Sequence, residues 1–145
     1  MFYIVNVEGA IWHEGRYLAA VRGAAETHAA GALGFVGGKV EGIAWKEDAV
    51  LEQTLRREIR EEVGLEVDEI SYVCSSMFTA GDLEPVINIV FLCRYRGGTL
   101  SIDDPGEVAS AEWLTPQALH DDPRTPPWTR TYLEQIEQVR VRLGW

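Results

Sequence analysis

Three carboxylates at helical spacing, Glu58, Glu61 and Glu62, are the residues of this chain best placed to do chemistry. Positions i, i+3 and i+4 fan over an arc of roughly 100° on one side of a helix. Leu51, Leu55, Ile59 and Val63 recur every fourth residue and give that helix an apolar stripe, with the acids beside it rather than opposite. Gly64 is the expected left-handed stop, since glycine takes positive φ without a Cβ penalty. Acids crowded at the edge of a core repel one another, and an i, i+4 pair between Arg57 and Glu61 offsets only ~0.3–0.5 kcal/mol. A hard divalent cation would hold them together; Mg²⁺ in particular is bound through a few carboxylates plus substrate phosphates.

Taken alone, a helix carrying Arg57, Glu58, Arg60, Glu61 and Glu62 is an ordinary salt-bridged, solvated face. Its setting argues otherwise. A glycine pair, Gly37-Gly38, lies upstream, where backbone amides and carbonyls can approach a metal or phosphate closely. Gly64-Leu65 closes the segment downstream. A surface helix needs neither.

The run Arg57-Glu58-Ile59-Arg60-Glu61-Glu62-Val63-Gly64-Leu65 resembles, position by position, the second half of the Nudix box, G-x5-E-x7-R-E-U-x-E-E-x-G-U with U a bulky aliphatic. Gly38 resembles its opening glycine. The chain departs from the pattern in two places. Five extra residues separate Gly38 from Arg57, lengthening the loop around Ile43-Ala44-Trp45-Lys46, so the first box glutamate is either Glu41 or Glu47. Val36 stands where many members have proline.

The resemblance implies an α/β/α sandwich around a mixed sheet and hydrolysis of a nucleoside diphosphate linked to another group. It implies Mg²⁺ or Mn²⁺ on Glu58, Glu61 and Glu62, with Gly38 or Gly37 lending a carbonyl. Glu61 is then the leading candidate for general base, and Arg57 orients the glutamates through a charge-assisted hydrogen bond. A further carboxylate beyond the box often completes the metal site or acts as base, and a tentative substrate contact is also open to it. Glu107 is the candidate and Glu112 the reserve, although an ordinary exposed acid is the plainer reading of each. Arg22 is likewise read first as a surface arginine and second as a phosphate contact.

Composition agrees with phosphate handling through a metal. A formal net charge of −10 and a pI near 4.7 argue against a nucleic-acid surface, which needs clustered Lys and Arg. An acidic protein needs a cation between itself and a diphosphate. Cys74 and Cys93 sit in apolar, strand-like runs and read as free thiols. With no basic leader, no h-region and no run of membrane-spanning length, the expected compartment is the cytoplasm. The 145 residues suit a single domain.

The elements that must position these groups follow from pattern. Phe2 to Trp12 and Tyr17 to Arg22 read as a hairpin, and Ala32 to Val36 as a short strand ending at the glycine pair. Beyond the acidic helix come a strand at Leu65–Val67 and another at Ile70–Phe78. Val86 to Tyr95, almost unbroken in apolar residues, reads as a central strand covered on both faces. A strand at Val108–Leu114, a short helix opened by Thr115-Pro116 and an amphipathic helix from Trp128 to Leu143 complete the chain.

Substrate identity is less legible. Ala80-Gly81-Asp82-Leu83-Glu84-Pro85 lacks the proline placed as in ADP-ribose hydrolases and the tyrosine placed as in dinucleoside polyphosphate hydrolases. A nucleoside di- or triphosphate is the default small-molecule partner. Phe35, Phe78 and Trp45 are candidate base-stacking rings, though packing is the plainer role of each. The resemblance also admits an isoprenoid-diphosphate isomerase, disfavoured because the two cysteines lie in strands and the three histidines are scattered. It further admits a catalytically silent nucleotide sensor, disfavoured because the box tail keeps all its acids. A homodimer is compatible with the family and not shown by the sequence.

Overall fold

The computed structural model describes residues 1–26, 28–42, 48–81 and 83–145. Glu47, Trp45 and Asp82 lie outside them. The chain runs through β1 (Ile4–His13), β2 (Arg16–Arg22), β3 (Leu33–Gly34), β4 (Val36–Lys39), α1 (Val50–Val63), β5 (Leu65–Thr79), β6 (Pro85–Gly98), β7 (Val108–Leu114), α2 (Pro116–Asp121) and α3 (Pro127–Leu143). The seven strands form one mixed sheet, ordered β3-β2-β1-β6-β5, with β4 on β1 and β7 on β2. The β1–β6 pair is parallel and the other pairs are antiparallel.

Helices cover both faces, giving the expected α/β/α sandwich. On one face Leu55, Ile59 and Val63 of α1 pack with Val7, Ile11, Phe91 and Cys93. On the other, Leu119 of α2 and Leu133, Ile136 and Val139 of α3 pack with Ala10, Val90 and Leu92. Strand β6 thus alternates Val90 and Leu92 toward α3 with Phe91 and Cys93 toward α1, which is why its sequence is apolar at both parities. The helix stop at Gly64 is left-handed, φ +72°, its N–H bonded to the Arg60 carbonyl. Thr115 caps α2 by accepting from the Ala118 N–H at 3.2 Å. Cys93 is buried and Cys74 partly so, and both are free thiols. Among the described residues no helix is long and apolar enough to cross a membrane.

Three boundaries differ from the sequence reading, each where tertiary pairing overrides local pattern. Phe2 lies outside β1 and is exposed. The two strands expected after Gly64 form one 15-residue strand, β5, interrupted by register shifts that keep it on β6. The strand expected to end at the glycine pair is instead divided into β3 and β4, and the pair lies within β4, with Gly37 opposite Glu8 and Gly38 opposite Val7. The β4–β1 pairing also shapes the molecule. The β1–β2 hairpin register holds only at Trp12↔Tyr17 and His13↔Arg16. Beyond that the facing edge of β1 passes to β4 at Asn6 to Gly9 and that of β2 passes to β3 at Ala20 and Val21, while β6 pairs β1 from Ile4 to Trp12 and β7 pairs β2 from Tyr17 to Arg22; residues of the parted β1 and β2 line one cleft.

Candidate active site

The glycines of β4 are required by close approach. A Cβ on Gly37 would lie 1.9 Å from the Val7 carbonyl oxygen. One on Gly38 would lie 2.5 Å from Cδ of Glu58 and 2.7 Å from its Oε2. The Glu58 carboxylate therefore rests directly on the bare α-carbon of Gly38. One turn further along α1, Glu62 lies beside the Gly37 backbone, which offsets part of the upward push that burial gives its carboxyl. Alternation in β4 and the i, i+4 spacing in α1 thus bring two carboxylates onto one glycine pair.

These groups floor a cleft of about 330 Å³, walled by Asn6 and Glu8 from β1, Arg22 from β2, Lys39 from β4, and by Glu26, Glu41 and Glu107 from loops. Burial and the neighbouring acids set its electrostatics. Glu62 is pushed up to about 8, first by burial and then by the charges of Glu58 and Glu107. Glu58 is raised by burial, then by Glu61, with Arg57 opposing. The Arg57 guanidinium stands 3.9 Å from Glu58 Oε1. Among the described residues this pair with Glu58, rather than the expected i+4 pair with Glu61, is the ion pair of Arg57.

The structure brings Glu58, Glu62, Gly38, Glu107 and Arg22 to one cleft and keeps Glu41 at its edge. Glu61 is placed differently: it is exposed on the rim, outside the cleft lining, though near enough to raise Glu58. Glu112 is turned away and pairs with Arg124 at 2.9 Å. Arg22 is held locally, its Nη2 3.0 Å from Glu26 Oε2 and its Nε donating to the His28 carbonyl at 2.7 Å. Of the two candidates for first box glutamate, Glu41 is in view and Glu47 lies outside the described residues.

The donors around the glycine pair are all oxygen and mostly anionic, a set that suits Mg²⁺ or Mn²⁺. Among the described residues no three His, Cys, Asp or Glu side chains close to chelating distance. The residues that could hold a cation here are therefore Glu58 and Glu62 with a backbone carbonyl, the remaining positions falling to water and substrate, as Mg²⁺ prefers.

Several cleft residues are not apparent from motif reading. Glu8 faces the cleft from β1, pushed up to about 7 by burial, with an Asn88 hydrogen bond and the Arg22 charge opposing. Asn6 donates to Asn88 at 2.8 Å, Asn88 donates to the Tyr132 hydroxyl at 3.3 Å, and that hydroxyl bonds Ser76. A usable signal exists: Asn88 interrupts the apolar run of β6 and Glu8 that of β1, and a polar group in a core strand is usually there for a partner. This polar floor continues into a second cavity of about 700 Å³, which shares Asn6, Glu8, Arg22, Glu26 and Lys39 with the cleft and extends to Phe78 on β5 and Trp128 on α3.

Residues 4–136 match the NUDIX domain. The chain superposes on the crystal structure of a MutT NUDIX hydrolase from Burkholderia pseudomallei with a TM-score of 0.75 at 25% identity, covering 94% of this chain and 99% of that one. On the solution structure of the E. coli ORF135 protein the TM-score is 0.74 at 28% identity, covering 98% and 94%. By sequence it is 34% identical over 77 residues to the NAD-capped RNA hydrolase NudC of Deinococcus radiodurans, a stretch of 53% of this chain. The chain spans only 25% of that relative's length. A domain match from β1 into α3, together with a fold shared almost end to end, is enough to decide descent: this chain belongs to the Nudix hydrolase family.

Proposed function

We propose that the chain hydrolyses the diphosphate linkage of a nucleoside diphosphate joined to another group, with Mg²⁺ or Mn²⁺ held by Glu58, Glu62 and the Gly38 carbonyl. The observation that carries this reading is the seating of Glu58 on Gly38 beside Glu62 on Gly37, in a cleft that also presents Arg22. When bound, the metal would neutralise the diphosphate oxygens and acidify a water. The chain supplies position and proton transfer. Arg57 steadies Glu58 from 3.9 Å, and Arg22 and Lys39 give the cleft cationic groups for phosphate oxygens. Glu61, on the rim, accepts the proton of the attacking water as the P–O anhydride bond breaks, and Glu107, which lines the same cleft, is a further ligand or substrate contact.

The test is a panel of nucleotides and nucleotide sugars with Mg²⁺ or Mn²⁺, scored for phosphate, pyrophosphate and monophosphate. Metal-dependent release of a monophosphate product is expected. Nucleotide binding without any such product would turn the reading to a silent sensor. Glu61→Gln should lower kcat at least about tenfold with the fold intact; near wild-type turnover would remove Glu61 as base.

A further inference from the structure

The second cavity has no part in holding a metal, yet it opens from the same residues that would meet the phosphates. Its far wall is aromatic. Phe78, at the end of β5, is half-buried, and Trp128, at the start of α3, is 46% exposed. Between them sits His28, whose ring stacks on Phe78 with centroids 5.3 Å apart and planes at 14°, and lies 5.8 Å from Trp128. A flat, nitrogen-bearing aromatic ring is thus stacked on an aromatic side chain of the cavity wall. The side chain two residues earlier, Glu26, sets a carboxylate 3.0 Å from Arg22, the guanidinium shared by cleft and cavity.

Resting on the hydrolase reading above, we propose that Glu26 and His28 stand in for a nucleotide: the Glu26 carboxylate takes the place of a phosphate on Arg22, and the imidazole that of a nucleobase on Phe78. The ligand class of the cavity is therefore an aromatic base, and the nucleoside end of the substrate points from the metal cleft toward Phe78 and Trp128. Binding is a displacement. A phosphate carries more charge than a carboxylate and outcompetes it for a guanidinium, while a base offers Phe78 a larger stacking face than imidazole. Both stand-ins are cheap to expel, because His28 is an exposed side chain and the Arg22–Glu26 pair is partly solvated.

A wall that stacks with the base weakens binding when removed; a stand-in strengthens it. Equilibrium binding of a nucleoside triphosphate with Ca²⁺ is to be measured for the wild type, His28→Ala, Glu26→Gln and Phe78→Ala, with tripolyphosphate as the ligand lacking a base. His28→Ala should bind the nucleotide at least about threefold more tightly and leave tripolyphosphate unchanged. Glu26→Gln should tighten both ligands, and Phe78→Ala should weaken only the nucleotide, by roughly tenfold. Proton NMR supplies a readout independent of affinity: the His28 ring protons should lose their Phe78 ring-current shift when nucleotide is added. Weaker or equal nucleotide binding by His28→Ala, or His28 protons that keep their shift in the complex, overturns the displacement. Equal loss of both ligands in Phe78→Ala overturns the base site. Absence of metal-dependent hydrolysis across the substrate panel would instead strike the hydrolase reading, whatever these binding results.

Discussion

The carboxylate of Glu58 sits where the side chain of any residue but glycine at position 38 would have to be: an added Cβ would come within 2.5 Å of its Cδ and 2.9 Å of its Oε1. This one relationship ties the two halves of the sequence motif together. The strand supplies an absent side chain, and the helix fills the space with a charge. Gly38→Ala should push Glu58 off this seat and cost about a hundredfold in kcat, since a displacement near 1 Å is enough for that. Circular dichroism should remain that of the wild type. A Gly38→Ala variant with wild-type turnover would show that the seat is irrelevant to catalysis.

Proton release should accompany metal binding. Glu62, pushed up to about 8, is largely protonated in the metal-free protein at pH 7, and a divalent ion requires the carboxylate. Affinity for Mn²⁺ should therefore rise with pH up to about 8 and then level off. Titration calorimetry at pH 7 in two buffers of different ionisation enthalpy should give roughly one proton released per ion. Identical heats in the two buffers would contradict this.

Glu8 should make the metal-free protein less stable as pH rises. Its folded value of about 7 lies above its ordinary 4.5, so the folded state binds the extra proton between those limits. The contribution is whole below 4.5, is lost progressively as pH climbs to about 7, and stays lost above. Glu8→Gln removes the ionisation and keeps a hydrogen-bonding side chain for Asn88. In EDTA its Tm should exceed the wild type's at pH 8 and approach it, or fall below, at pH 4.5. An equal Tm difference at both pH values would show that Glu8 does not titrate between them.

How far the sequence alone reached follows from the range of each signal. The α1 stripe of Leu55, Ile59 and Val63 is local and periodic, and all three are fully buried. The left-handed stop at Gly64 and the Thr115 cap are equally local. The glycine pair was legible as a place of close approach but not as a strand, because only the β1 backbone, some thirty residues earlier, makes it one. Arg22 in the cleft, Glu112 outside it and Glu61 on the rim depend on how β1 and β2 part and on where α1 is rotated, and neither is written in any short window. Glu8, Asn6 and Asn88 come from two strands paired in parallel across eighty residues, a distance no motif spans.

A divalent ion should be gripped between α1 and β4, and Mn²⁺ binding followed by electron paramagnetic resonance reports this without substrate or turnover. The wild type at pH 8 should bind Mn²⁺ saturably, and Glu58→Gln/Glu62→Gln should lose at least about tenfold in affinity while keeping the wild-type fold. Unchanged Mn²⁺ affinity and stoichiometry in that double variant would contradict the account.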